Sequence, residues 1–81
     1  MEENKIAVVA VIVDEYDAVE RVNALLHEFR EYIIGRMGLP YRQKHVNIIS
    51  VMMDAPASVI NSLSGKLGMT EGVTSKVLTA K

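Results

Sequence analysis

Residues 6–13 read Ile-Ala-Val-Val-Ala-Val-Ile-Val, and this unbroken apolar run decides the fold class. Successive side chains of a strand point to opposite faces, so a sheet covered on one face shows a polar residue at every second position. Neither alternate set of this run is polar, which predicts that both faces of the strand leave water. A chain of 81 residues has enough helix for one face, so we expect the other to meet a second copy.

The composition of the chain predicts one globular domain over residues 1–81. A hydrophobic content of 49% excludes a disordered segment. The chain has no cysteine, which excludes a disulfide framework, a thiolate metal site and a cysteine nucleophile. Small secreted domains usually need such cross-links, so we expect a cytoplasmic protein that oligomerisation stabilises.

The charge and the length of the apolar run bear on nucleic acids and membranes. The net charge of −1 gives no overall attraction to nucleic acid. Residues 6–13 are far shorter than the ~20 apolar residues that span a bilayer. We therefore expect no direct nucleic-acid binding and no membrane insertion.

After Val13 the apolar period changes to that of a helix. Asp14 is a candidate N-cap, with Asp17 completing a capping box. The spacing predicts an amphipathic helix over 16–30. Its apolar stripe consists of Ala18, Val22, Leu25, Leu26 and Phe29.

Two further strands are predicted next. The first covers 32–37, where Gly35 weakens the strand or marks a bulge, and suits an edge position. Turn-forming residues at 38–40 and a basic loop at 41–44 follow. The second strand covers 45–53 and is apolar on both faces, which favours a central position.

The last third of the sequence predicts a helix and an edge strand. Residues 54–56 form the helix start, with Pro56 in the first turn. The buried stripe of this helix is Ile60, Leu63 and Leu67. Gly68 is expected to end it as a left-handed cap, and Gly72 opens a half-polar strand over 73–79.

The element order is therefore βαββαβ, which is an α+β, ferredoxin-like sandwich. Right-handed crossovers place strands one and three in the middle of an antiparallel sheet of order 4-1-3-2, with both helices on one face. The two most apolar strands are the two that this topology makes central.

The ionisable residues predict neither a metal site nor a catalytic site. His27 and His45 are the two imidazoles of the chain, and this topology separates them by about 20 Å. No shared metal site is expected, and the acids near the first helix are expected to cap it. No catalytic residue, metal or cofactor is predicted. The alternative hypothesis, a small enzyme, would require turnover of a substrate, and loss of that activity on substitution of His27 would support it.

Residues 64–68 read Ser-Gly-Lys-Leu-Gly, which resembles a phosphate loop but fails its pattern. The segment also ends a helix, whereas helix starts hold phosphate. Close backbone packing at Gly65 and a cap at Gly68 are the simpler interpretation. If a ligand or a subunit boundary lies here, the expected contacts are Ser64, Gly65, Lys66 and Gly68, with His27 as a further candidate.

Three segments carry a family resemblance. They read Val22-Asn23-Ala24-Leu25-Leu26-His27-Glu28-Phe29, Arg36-Met37-Gly38-Leu39-Pro40, and Leu63-Ser64-Gly65-Lys66-Leu67-Gly68 before Gly72-Val73. Together they resemble the iron-only hydrogenase system regulator family over nearly the whole chain. The resemblance implies an ACT-like subunit, similar to the C-terminal domain of the nickel-responsive repressor, that forms dimers or tetramers through its sheet. The family name reflects a proposed role beside hydrogenase maturation factors.

The chain departs from these relatives in three respects. The repressor binds nickel through histidines and a cysteine, and the absence of cysteine argues against that site here. We expect no counterpart of the repressor's DNA-binding arm, since residues 1–5 of the given sequence lead directly into the first strand. Residues 14–16 read Asp-Glu-Tyr where amino-acid-binding ACT domains usually have glycine, which argues against a typical amino-acid pocket.

Two hypotheses about function follow. The first is a non-catalytic regulatory or ligand-sensing homo-oligomer, responding to a small-molecule effector in transcriptional or hydrogenase-related control. The second is a structural adaptor that docks a different protein through its uncovered sheet face.

Overall fold

A computed structural model describes residues 3–80 of the chain. Met1, Glu2 and Lys81, which the predicted domain includes, lie outside the described residues. Described elements are β1 (Asn4–Val13), α1 (Tyr16–Glu28), β2 (Ile33–Tyr41), β3 (Val46–Pro56), α2 (Ala57–Gly68) and β4 (Val73–Thr79). Short 3₁₀ turns cover Arg30–Tyr32 and Arg42–Lys44.

The strands form one antiparallel sheet in the order β2-β3-β1-β4. This is the predicted ferredoxin-like order 4-1-3-2 read from the other edge. The central pair is the longest, since β1 and β3 pair from Asn4 and Pro56 to Val13 and Asn47. The prediction that the two most apolar strands are central is confirmed.

The core lies between one face of the sheet and the two helices. Alternate residues of β1 are buried on this side, namely Ala7, Val9, Val11 and Val13. Most of the predicted helical stripes are buried against them: Ala18, Val22, Leu26 and Phe29 in and after α1, and Ile60, Leu63 and Leu67 in α2. Leu25, also predicted in the first stripe, is half-buried and packs against the edge of the core. The structure thus decides which alternate set of β1 faces the helices.

The start of α1 differs from the prediction. Glu15, and not Asp14, is the N-cap residue, and no side chain caps this end with a hydrogen bond. The Asp14 N–H instead donates to the Gly72 carbonyl at 2.9 Å. The predicted capping box is wrong because Asp14 is held by the start of β4. The helix also ends at Glu28 and continues as a 3₁₀ turn.

Strand β2 extends beyond its predicted end. Residues 38–40, predicted as a turn, pair with β3, and Leu39 lies opposite Ile48. An edge strand tolerates Pro40 because one side of its backbone has no partner strand. The predicted irregularity at Gly35 is confirmed, since the register shifts between Ile33 and Gly35.

The bounds of α2 also correct the prediction. Asp54, Ala55 and Pro56 belong to β3 because they pair with the first residues of β1, so Pro56 precedes the helix. Gly68 is the last helical residue and is followed by Met69 in right-handed conformation. The positive φ of a described glycine occurs at Gly72 instead. The predicted bounds of β4 are confirmed.

Candidate functional site

The sheet face opposite the helices is uncovered and is called the open face below. Strand register places on it the residues of β1 that alternate with the buried set, together with their partners. Its exposed large apolar side chains are Ile6, Val8, Ile12, Met37, Leu39, Tyr41, Ile48 and Leu78. The exposed fraction is 46% for Ile12 and 72% for Leu78. The sequence predicted a second apolar face of the sheet, and within one protomer this open face is exposed to solvent.

Three rows of paired residues cross the open face from β2 to β4. The first row is Leu39, Ile48, Ile12 and Thr74. The middle row is Met37, Ser50, Ala10 and Lys76. The third row is Gly35, Met52, Val8 and Leu78. Because the centre of the middle row holds small side chains, the open face has two apolar ridges with a lower strip between them.

The open face carries little charge. Among the residues of the described strands, Lys76 lies at one edge, and Asp54 lies opposite Ile6 on β3. One cation and one anion leave this face without net charge. Two such faces would meet without a large electrostatic penalty.

A cleft of about 430 Å³ lies at one end of the sheet, between the turn after β1 and the β2–β3 connection. It combines acidic Asp14 and Glu15 with Arg42 and His45. His45 has a left-handed backbone (φ 56°), and its N–H donates to the Arg42 carbonyl. Sequence reasoning missed this cleft because it treated the two connections separately, although both lie at the same end of the sheet.

The predicted residues at 64–68 occupy the last turns of α2. The Lys66 Nζ atom lies 2.8 Å from Glu28 Oε2 and 5.4 Å from the centre of the Phe29 ring. Lys66 also borders an apolar groove of about 430 Å³ with Leu25 and Met69. Ser64 is half-buried in the same turns.

The glycines of this segment do not have the predicted role. A Cβ atom at Gly65 or Gly68 would meet nothing within 4 Å. The expectation that Gly65 permits a close backbone approach is wrong within this protomer, because both glycines border open space.

His27 lies in a different place from Lys66. It lines a cleft of about 400 Å³ with Asn23, Arg30 and Arg36, between α1 and β2. The structure therefore does not bring His27 and the residues of 64–68 to one cleft. His45 lies at the strand-end cleft, so the two histidines are also apart, as the topology predicted.

Within residues 3–80, no three histidine, aspartate or glutamate side chains come together as metal ligands. No polar or charged residue of this part of the chain is buried. Neither described helix is long and apolar enough to cross a membrane.

The TM1266-like family, described as "Iron-only hydrogenase system regulator, putative", matches residues 5–77. The chain belongs to this family. A solved structure of the uncharacterized protein TM1266 from Thermotoga maritima is 36% identical in sequence, with a TM-score of 0.93. That match covers 98% of this chain and 100% of the Thermotoga chain. No curated protein matches the chain significantly.

More distant structures share the fold of this family member. The C-terminal domain of MgtC from Mycobacterium tuberculosis has a TM-score of 0.74 at 15% identity, over 99% of this chain and 92% of that one. CPII, a nitrogen regulatory PII-like protein from Thiomonas intermedia K12 bound to ADP, AMP and bicarbonate, has a TM-score of 0.54 at 13% identity. That match covers 95% of this chain and 91% of CPII. These likenesses show the ferredoxin-like, ACT-like fold alone.

Proposed function

We propose that this family member is a non-catalytic regulatory module that works as a homo-oligomer, a dimer or tetramer, associated through its open face. The observation that carries the proposal is the apolar open face. It is one side of a sheet whose other side packs against the two helices. The family supports a regulatory role in the iron-only hydrogenase system.

The size of the open face supports a stable association. Its eight large apolar side chains are 36–72% exposed, and all lie on the same side of the sheet. Leaving so many apolar side chains on one face in water is costly, so we expect a partner to cover them.

A second copy suits this face better than a charged partner does. Lys76 and Asp54 balance each other, so the face attracts neither a strongly acidic nor a strongly basic surface. The open face also has two ridges and a lower strip between them, so a ridge of a second copy can pack into the lower strip. Stacked sheets pack about 10 Å apart, a distance that such side chains span.

Two observations support a non-catalytic role: the family is described as a regulator, and the described core contains no ionisable residue. Acid–base catalysts are usually tuned by burial beside a charged partner, and no described residue of this chain is both ionisable and buried. A small-molecule effector and a cytoplasmic location belong to the same proposal. Ser64, Gly65, Lys66 and Gly68 stay candidate contacts for an effector or a neighbouring subunit.

Multi-angle light scattering on three proteins tests the proposal. Ile12→Lys places a charge in the first apolar row of the open face, and Met69→Lys places the same charge on an exposed apolar residue of the helix side. We expect the wild type and Met69→Lys to be dimers or larger at micromolar concentration, and Ile12→Lys to be monomeric. Equal masses for the two variants would contradict the role of the open face.

The adaptor hypothesis gives a different result in the same experiment. A wild-type monomer that co-purifies from its native host with another protein, in fixed ratio and in a manner that Ile12→Lys abolishes, would favour docking of that protein. It would overturn self-association through this face.

A further inference from the structure

The cleft between α1 and β2 lies on the helix side of the sheet. Its volume is about 400 Å³, and it is lined by Asn23, Leu26, His27, Arg30, Ile33 and Arg36. Asn23, Leu26 and His27 lie on one face of α1 because they are three or four positions apart, and Arg30 follows in the 3₁₀ turn. Arg36 pairs with the buried Val51, so its side chain points toward the helices. The cleft is therefore accessible whether or not the open face is covered.

The polar lining of this cleft is cationic or neutral. It contains two guanidinium groups, an imidazole and an amide, and no carboxylate. Among residues 3–80, the ion pair with an N···O distance below 4.0 Å joins Lys66 to Glu28, so no described carboxylate forms an ion pair with Arg30 or Arg36. The strand-end cleft differs, because Asp14 and Glu15 balance its cations.

Neutral acceptors hold both guanidinium groups in position. The Arg36 Nη2 atom donates to Asn23 Oδ1 at 2.8 Å, and the Arg30 Nη1 atom donates to the His27 carbonyl at 2.9 Å. A guanidinium has five N–H donors, so one such bond leaves most of them for another acceptor. Because the planar groups are already oriented, less side-chain entropy is lost when they bind a ligand.

We infer that this cleft binds a small organic molecule through a phosphate group. Guanidinium groups match phosphate oxygens in bidentate geometry and in charge, and two of them line this cleft. Because Asn23 accepts from Arg36 through Oδ1, its amide NH₂ is left as a donor for the same ligand. Small-molecule pockets are roughly 300–1,000 Å³, so the cleft holds more than the phosphate. Ile33, which is half-buried, offers apolar surface to the remainder.

The C-terminal end of α1 is the main feature that opposes anion binding in this cleft. A helix C-terminus carries a partial negative charge of about half an elementary charge, which disfavours an anion. Arg30 already donates to the His27 carbonyl, and the Phe29 N–H donates to the Leu25 carbonyl. The full charges of Arg30 and Arg36 exceed what remains of the partial charge.

This site is independent of the proposed self-association, since it lies on the opposite side of the sheet. Its failure would leave the oligomer unaffected, and a monomeric protein could still bind phosphate here. If both hold, the phosphate-bearing molecule is the candidate effector of the regulatory module.

Titration of ¹⁵N-labelled full-length protein tests the inference. The probes are inorganic phosphate and ribose 5-phosphate at constant ionic strength, because salt screens exposed charges. We expect saturable amide shifts concentrated at residues 23–36, with tighter binding of ribose 5-phosphate. Arg36→Gln should raise the apparent Kd at least about tenfold, and Arg36→Lys should raise it less.

Matched variants separate this site from a general attraction of anions. Arg42→Gln removes an exposed arginine of the strand-end cleft and should leave the Kd unchanged. Arg30→Gln provides a second cleft variant if Arg36→Gln fails to fold. Ribose 5-phosphate should also raise the melting temperature of the wild type but not of the cleft variants. Shifts centred on residues 42–45, wild-type affinity in the folded cleft variants, or no saturation at millimolar phosphate would overturn the inference.

Discussion

The α-carbon of Gly72 lies directly against the Glu15 side chain. A Cβ atom at residue 72 would lie 2.7 Å from Glu15 Cβ and 2.8 Å from Glu15 Cγ. Gly72 also has a φ of 83°, which L side chains rarely adopt. Its carbonyl accepts the Asp14 N–H, so this contact joins the turn after β1 to the start of β4.

Gly72→Ala should destabilise the protein by about 1–3 kcal/mol, because it adds both a clash and an unfavourable backbone conformation. Urea unfolding measures the loss. Glu15→Gly removes the clashing side-chain atoms, so adding it to Gly72→Ala should restore part of the stability and leave the backbone cost. A Gly72→Ala protein as stable as the wild type would contradict this description of the contact.

Gly65→Ala should instead increase the stability of the protein. Gly65 lies inside α2, where glycine costs roughly 0.5–1 kcal/mol relative to alanine, and a Cβ there meets nothing within 4 Å. The same urea experiment should show a gain of this size. A loss of stability together with a smaller molecular mass would instead place Gly65 at a subunit boundary.

The fold was predictable where local pattern and long-range pairing agree. The run at 6–13 has no polar alternate set, and only a central strand accommodates that. The stripe of Ile60, Leu63 and Leu67 has a helical period and is buried as predicted. In both segments the residue types alone fix the element.

The errors arose where a distant partner overrides the local signal. Pro56 is typical of a first helical turn, but its register partner Asn4 keeps it in β3. Gly68 and Gly72 are both candidates for a positive φ. Glu15 approaches Gly72 closely, and sequence spacing does not reveal this contact. The cleft of Arg30 and Arg36 likewise depends on how α1 packs beside β2, so sequence reasoning found His27 but not its neighbours.

Two leucine truncations should separate the core from the open face. Leu63 is fully buried, so Leu63→Ala should cost about 2–5 kcal/mol at any protein concentration. Leu39 is 58% exposed on the open face, so Leu39→Ala should mainly reduce the part of the stability that rises with protein concentration. Thermal unfolding at several concentrations measures both. A concentration-independent loss of similar size in both variants would contradict the assignment of Leu39 to an interface.

The Lys66–Glu28 pair should contribute little to stability. The side chains are 47% and 56% exposed, and exposed ion pairs are worth roughly 0–1 kcal/mol. A double-mutant cycle with Lys66→Met and Glu28→Gln should give a coupling within this range that decreases as salt is added. A larger, salt-independent coupling would indicate that these residues are shielded from water by a neighbouring subunit.

Sedimentation equilibrium of the wild-type protein tests the central claim most directly. If a second copy covers the open face, the measured mass at micromolar concentration will be at least twice the 9.0 kDa of one chain. A mass of 9.0 kDa that persists as the concentration is raised toward millimolar would show that the aliphatic face stays in water, and would contradict the account.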